Sequence, residues 1–410
     1  MREARELLVL GCGFGGYSLL SNLKRRSWRV TLLSPRNYFL FTPLLPSAVT
    51  GTVEFRSILE PVRRRLRDIR LVEGFAESVD WAGRSVTCTA AVGGERFTLS
   101  FDILAIAVGA SVSDYGIPGI SEHAIKLASI EDARAIRRGI LEQLARAEIP
   151  GLNPAQIRER LTFVVCGGGP TGVEAAAEIH DLLEDELAFS YPELAPHARV
   201  ILVEALERLL TSFDKALGDY TVRHFRREGI EVLTGARVHA VEAGAVILEG
   251  GERIACGMVV WAGGNAPVPF LRSLGGPVHE SGRLRVDPYL RVPGRRDVYA
   301  LGDCAAMGEP PLPATAQVAQ QEGKYLAVAL DRGREGRPIS PFRFRPAGML
   351  AYIGARQALV DLPQVKWSGR GAWLFWRSVY ITKLVSPANK VKVLFDWVKA
   401  RLFGRDLSRF

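Results

Sequence analysis

Short apolar runs, each closed by glycine and followed by a helix-compatible stretch, recur along the chain. Leu7-Leu8-Val9-Leu10 runs into Gly11-Cys12-Gly13-Phe14-Gly15-Gly16 and then a helical pattern through Leu23. About 150 residues later, Phe163-Val164-Val165-Cys166 runs into Gly167-Gly168-Gly169-Pro170-Thr171-Gly172 and a helical pattern through Leu183. Val30–Leu33 and Val200–Val203 then read as the second strand of each unit. Strand-sized runs alternating with longer helical stretches predict an α/β fold with parallel sheets rather than a sandwich or a bundle. The unit as a whole is repeated, not a short solenoid period. Near the end, Val391, Leu394, Phe395, Val398 and Leu402 fall on one face of a helix, with Lys392, Asp396 and Lys399 on another.

Each glycine has a physical task. The first permits the tight turn, the second lets the backbone approach a diphosphate, the third lets helix and strand pack closely, and the helix N-terminus faces the anion. One such loop is weak evidence. Two, each between a strand and a helix, predict two Rossmann-like dinucleotide-binding domains through Gly11, Gly13, Phe14, Gly15 and Gly16, and through Gly167, Gly168, Gly169 and Gly172. The strand ending at Val203 is followed by Glu204, whose carboxylate suits a ribose diol. An acidic, aromatic insertion at 181–196 lengthens the usual gap before it. A 2′-phosphate about 4 Å from that carboxylate meets a repulsion of a few kcal/mol at an effective dielectric near 20, so NADH is favoured over NADPH. The first unit has Ser34-Pro35-Arg36 where the acidic residue is expected.

Composition narrows the setting. The 410 residues suffice for two or three domains. With 48% hydrophobic and 24% charged residues, disorder is excluded as the main state. No apolar run approaches the ~20 residues a spanning helix needs. The start, Met1 to Glu6, leaves no room for a secretory segment and predicts a chain kept on the cytoplasmic side. Five scattered cysteines (Cys12, Cys88, Cys166, Cys256, Cys304) include no close pair and read as reduced, buried thiols, with Cys166 and Cys304 as small core residues. Six single histidines support no metal site. Most of the net +9 is local, since Trp367–Phe410 holds nine Lys and Arg against two Asp, together with four of the seven tryptophans. Lys24-Arg25-Arg26 reads as the end of the first helix and Arg63–Arg67 as a solvated helix face. No nucleic-acid-binding module is present.

The two loops resemble those of two-dinucleotide flavoprotein oxidoreductases, in which the first unit binds FAD and the second, inserted within the FAD domain, binds NAD(P)H. Phe101–Ala110 is similar to the segment returning the chain from the first unit, and Val298–Ala305 to the late flavin motif, a strand ending in Gly302-Asp303. Within that superfamily the chain resembles the type II NADH:quinone oxidoreductases, the single-subunit, non-pumping NADH dehydrogenases of respiratory membranes. The similarity covers nearly the whole length. It is most specific at Asn37–Pro46 with Gly51–Glu54, at Ala316–Gly323, at Leu350–Gly354, and at the end of the chain. Ser34-Pro35-Arg36 is a familiar variant there. Disulfide reductases need a cysteine pair on the first helix, and sulfide:quinone oxidoreductases a cysteine after Cys304; neither is present.

The resemblance implies a division into an FAD-binding domain (1–118 and 280–335), an NADH-binding domain (119–279) and a C-terminal region with amphipathic membrane-anchoring helices (336–410). It implies FAD contacts from the first glycine loop, Ser34, Pro35, Arg36, Thr42, Pro43, Ala107, Gly109, Gly302, Asp303 and Ala316, and NADH contacts from the second loop, Glu204 and Gly263. Asp303 would hold the ribityl chain, though its position also suits a helix N-cap. Glu174 matches a family glutamate near nicotinamide and flavin that assists proton handling; the bland alternative is a first-turn carboxylate on the helix dipole. Gln317 and Gln321, at i and i+4, would present amide donors to a quinone, with Tyr352 nearby, on a helix whose small residues admit a flat ring. The alternative is a capped helix with surface glutamines. The cationic, aromatic tail would hold a peripheral enzyme on the cytoplasmic side of the cell membrane, or pack on the protein's own core or at a dimer contact; a homodimer is implied. The expected reaction is hydride transfer from NADH to FAD and two-electron reduction of a membrane quinone without ion pumping. The competing readings are a soluble NADH oxidase or reductase using oxygen or a protein acceptor, and an NADH-sensing partner protein.

Overall fold

The computed structural model describes residues 5–408; Met1–Ala4 and Arg409, used above for the N-terminal and tail readings, lie outside them. Five helices matter below: α1 (Phe14–Asn22), α2 (Pro170–Leu182), α3 (Ala316–Arg334), α4 (Arg370–Lys383) and α5 (Pro387–Phe403). The chain forms two compact units, one of residues 5–40, 59–111 and 265–346, the other of 41–58, 112–264 and 347–408.

In the first unit five parallel strands run in the order Val298–Ala300, Ile103–Ile106, Arg5–Leu10, Trp28–Ser34 and Arg70–Asp80, and Ser85–Ala90 and Arg96–Ser100 extend the sheet antiparallel. Leu7–Leu10 is wholly buried, which is why it shows no polar alternation. Helix α3 packs along α1 so closely that a Cβ at Gly323 would stand 2.3 Å from the carbonyl oxygen of Gly15. The small residues of α3 thus serve helix packing. Behind α1, Trp28 Nε1 donates to Asp331 of α3 at 2.9 Å. The basic run Lys24–Arg26 does not end α1, which stops at Asn22; Arg25–Ser27 forms a separate 3₁₀ turn and Lys24 pairs with Glu335 at 2.8 Å. Arg63–Arg65 lie exposed on the short helix Val62–Arg65.

The second unit carries a fully parallel sheet in the order Ala124–Lys126, Met258–Trp261, Thr162–Cys166, Arg199–Val203 and Glu231–Leu233. The α-helical part of α2 ends at Leu182, and the acidic insertion continues it as a π turn, Leu183–Leu187. An antiparallel three-stranded sheet (Met349–Tyr352, Ala358–Asp361, Lys366–Gly369) leads into α4 and α5. All five cysteines are buried and free.

The C-terminal helices bear out packing on the protein's own core for one of their faces. Ala372, Trp376, Val393 and Trp397 are buried, so one side packs on the protein. Two polar residues of α5 also turn inward: Asp396 accepts from the Glu54 N–H at 3.1 Å and Lys399 pairs with Glu54 at 3.1 Å. The apolar row Val391, Leu394, Phe395, Val398 and Leu402 is exposed. For five large apolar side chains on one helix this is the reverse of an ordinary surface helix.

Candidate active site: two dinucleotide cradles and a buried carboxylate row

The two glycine loops have the same geometry. Gly11 adopts φ +100°, and a Cβ there would stand 2.3 Å from the carbonyl oxygen of Ala107; Gly167 adopts φ +119°, with the carbonyl oxygen of Ala262 at 2.7 Å. A Cβ at Gly16 would meet Gly11 O at 2.0 Å, and one at Gly172 would meet Gly167 O at 1.8 Å, so only glycine lets each helix start against its own strand. Gly13 and Gly169 differ, with nothing within 4 Å of the Cβ position. Each is the N-cap residue of α1 or α2, and neither helix has a side-chain cap. An open approach to an uncapped helix N-terminus fits the diphosphates of FAD and NADH.

Around the first loop, in the same unit, Ala107 backs Gly11, Gly109 has φ +72° and open space, and Ser34 Oγ donates to the Arg36 carbonyl at 2.8 Å, leaving Pro35 and Arg36 exposed at the strand end. Asp303 lies inside the 3₁₀ turn Gly302–Cys304, whose N-cap residue is Leu301; it is therefore not an N-cap. Burial raises its carboxyl above the usual range, opposed by Arg283. Beneath that turn, Glu322 accepts from the Gly302 N–H at 2.6 Å, and burial pushes its carboxyl up to about 7. Sequence reasoning gave Glu322 no role of its own; its signal was a charged residue on the packed side of α3. Thr315 caps α3 just before Ala316. Both ends of the Gln321 amide engage the Arg345 backbone, donating at 2.9 Å and accepting at 3.1 Å. Gln317 stands one turn earlier on the same helix. Thr42 and Pro43 open the 3₁₀ turn Thr42–Leu44 in the second unit.

Around the second loop, Glu204 accepts from Gly168 N at 2.5 Å and Leu206 N at 2.7 Å, which leaves lone pairs of both oxygens for further donors. Gly263 leaves no room for a Cβ, which would lie 2.8 Å from the Trp261 ring. Glu174 is not a first-turn carboxylate. It sits in the second turn of α2, 6% exposed, and accepts from the Tyr352 N–H at 3.0 Å. One turn on, Glu178 accepts from Ser47 at 2.6 Å, Thr50 at 2.9 Å and Thr52 at 2.8 Å. Asp181 accepts from the Tyr352 hydroxyl at 2.5 Å and from Ala355 N at 3.0 Å. Three carboxylates thus line one face of α2, of which sequence reasoning singled out only the first. Burial pushes Glu174 up to about 8, the Tyr352 N–H opposing and the Glu178 charge adding to the rise; Asp181 is pushed up to about 6, again mainly by burial. A carboxyl held near 8 can hold or release a proton near neutral pH.

A doubled strand–glycine–helix unit, each copy open to a diphosphate, defines a two-dinucleotide oxidoreductase. Accordingly, residues 5–323 match the model of the pyridine nucleotide-disulphide oxidoreductases and residues 347–406 that of the NDH2 C-terminal domain. The chain is 37% identical to a probable NADH dehydrogenase of Dictyostelium discoideum over 100% of its own length and 92% of that protein. It is 38% identical to the external alternative NADH-ubiquinone oxidoreductase of Yarrowia lipolytica mitochondria, over 99% and 81% respectively. Its fold superposes on the structure of NDH2 from Plasmodium falciparum in complex with NADH with a TM-score of 0.94, at 26% identity, covering 99% and 100% of the two chains. The chain belongs to the type II NADH:quinone oxidoreductases.

Two predictions follow from the site. An acid raised from 4.5 to about 8 stays protonated in the fold where the unfolded chain would ionise it, so its contribution to stability is full below about 4.5 and is lost as pH rises toward about 8. The thermal midpoint of the wild type should therefore fall relative to that of Glu174→Gln across this window; parallel curves would mean that Glu174 does not titrate there. Glu204→Gln should narrow the kcat/KM preference for NADH over NADPH by about tenfold, because the charge facing a 2′-phosphate is gone; an unchanged ratio would remove Glu204 from ribose recognition.

Proposed function

We infer that the chain oxidises NADH by hydride transfer to FAD and passes two electrons to a quinone without moving protons across a membrane. The observation that carries this reading is the pair of matching glycine cradles in a chain related over its whole length to NADH-ubiquinone oxidoreductases. When bound, FAD supplies the two-electron acceptor and donor. The protein's own residues do the rest. Gly11, Gly13, Phe14, Gly15 and Gly16 hold the FAD diphosphate, with Ser34, Pro35, Arg36, Thr42, Pro43, Ala107, Gly109, Gly302, Asp303 and Ala316 completing that site. Gly167, Gly168, Gly169 and Gly172 hold the NADH diphosphate, Glu204 takes the ribose diol, and Gly263 keeps the cradle open. Glu174 holds a proton exchangeable near neutral pH, fixed at one oxygen by the Tyr352 N–H. Gln317, Gln321 and Tyr352 receive the quinone; the Arg345 backbone holds the Gln321 amide in one orientation.

The proposal assigns 1–118 and 280–335 to FAD, 119–279 to NADH and 336–410 to the membrane surface. None of the described helices is long and apolar enough to cross a membrane. The outward apolar row of α5 in a cationic tail supports peripheral attachment, placed on the cytoplasmic side. A homodimer is carried over from the family alone.

Gln317→Ala tests the quinone assignment. It should raise the KM for a short-chain quinone about tenfold, a loss of roughly 1.4 kcal/mol, typical of a hydrogen bond, and leave the rate of flavin reduction by NADH unchanged. Slowed flavin reduction with unaltered quinone KM would place Gln317 elsewhere.

A further inference from the structure

The second unit contains a cavity of about 910 Å³ whose walls come from α2, the 352–356 turn, α4 and α5. Its carboxylates are all engaged. Glu178 takes three hydroxyls, Asp181 takes Tyr352 and Ala355, Asp185 pairs with Arg405 at 3.1 Å, and Glu186 accepts from the Arg405 N–H at 2.7 Å. Its other guanidiniums are not. Arg356, Arg370, Arg377 and Arg401 line the same space, and among the described residues none forms a salt bridge.

Arg377 is held most firmly, its guanidinium 4.1 Å from the centre of the Trp373 ring and 4.4 Å from that of Trp397. Its Nε is buried without a hydrogen-bond partner. Burial lowers its pKa to about 10; Tyr352 and Glu178 oppose that shift, while the like charges of Arg356 and Arg401 add to it. Arg377 is half-buried, its Nε has no hydrogen-bond partner, and the Glu178 carboxylate that favours its charge forms no ion pair with it; a guanidinium so placed is stabilised further by an anion, and its geometry favours a bidentate phosphodiester. The rim is apolar. Phe189 is 89% exposed and Phe403 82%, and both line the cavity. Beside Arg401 on α5 runs the exposed row Leu402, Val398, Phe395, Leu394 and Val391. An anionic head among guanidiniums and indoles, with an apolar surface leading away from it, is the complement of a phospholipid and not of a free ion.

We propose that this cavity is a headgroup site for an anionic phospholipid, with the phosphodiester held by Arg356, Arg377 and Arg401 and the acyl chains lying along the exposed face of α5. The site rests on the peripheral-membrane reading and deepens it, because it makes attachment selective for lipid as well as electrostatic.

The test uses the full-length holoenzyme and sedimentation with vesicles of phosphatidylcholine, with or without phosphatidylglycerol, at about 0.5 M salt, where diffuse attraction is screened to within a few ångströms. The wild type should keep a preference for the phosphatidylglycerol vesicles. Arg356→Gln/Arg401→Gln, both exposed, should lower that binding about tenfold and abolish the preference, whereas Lys383→Gln/Lys392→Gln, an equal charge loss outside the cavity, should stay within about twofold of wild type. Bound-flavin absorbance confirms the fold of each variant. Equal losses from both pairs would leave only diffuse attraction and overturn the site. A tryptophan fluorescence response to inorganic phosphate that R356Q/R401Q removes, without any vesicle preference, would make it a free-phosphate site. Wild type that binds neither vesicle would overturn the membrane reading itself.

Discussion

Everything in this protein depends on a contact that no side chain permits: the α-carbon of the third glycine of each loop lies against the carbonyl of the first. At Gly16 and Gly172 a Cβ would stand 2.0 and 1.8 Å from that oxygen. Because the helix is drawn this close to its strand, its N-terminus opens where a diphosphate is to lie, and the carbonyls of Ala107 and Ala262 close the other side of each loop. The same arrangement is built twice, some 150 residues apart, to within a few tenths of an ångström. Duplicated cradles are what allow one chain to handle two dinucleotides.

The second constraint is the row of acids on α2. Three carboxylates on one buried face would destabilise the helix if each were left to itself. Each instead has a distinct set of donors: the Tyr352 backbone N–H for Glu174, three hydroxyls for Glu178, and a phenol with a backbone N–H for Asp181. Burial is what raises Glu174 to about 8, against the opposing Tyr352 N–H. Tyr352 touches the row twice, through its N–H and its hydroxyl, so the strand 349–352 positions both ends of it.

Local features were legible in the sequence and long-range ones were not. Leu7–Gly16 and Phe163–Gly172 announce themselves because strand, turn and helix start all lie within about a dozen residues. The partners of Glu178 lie 126 to 131 residues away, and nothing near Glu178 marks three hydroxyls as its donors. The pattern of α5 disclosed an apolar face but not its direction. That was decided by Glu54, 342 residues from Asp396, which draws the polar side of the helix inward. In the same way Gln321 reads as a free surface amide until the Arg345 backbone is brought beside it.

The account's central claim is that electrons from NADH leave this flavoprotein to a quinone. Anaerobic stopped-flow of the purified holoenzyme tests it most directly, by following flavin absorbance on mixing with NADH and then on addition of a short-chain quinone. The account predicts bleaching followed by rapid recovery. Bleaching that persists in the presence of quinone would leave both dinucleotide cradles in place and contradict the claim.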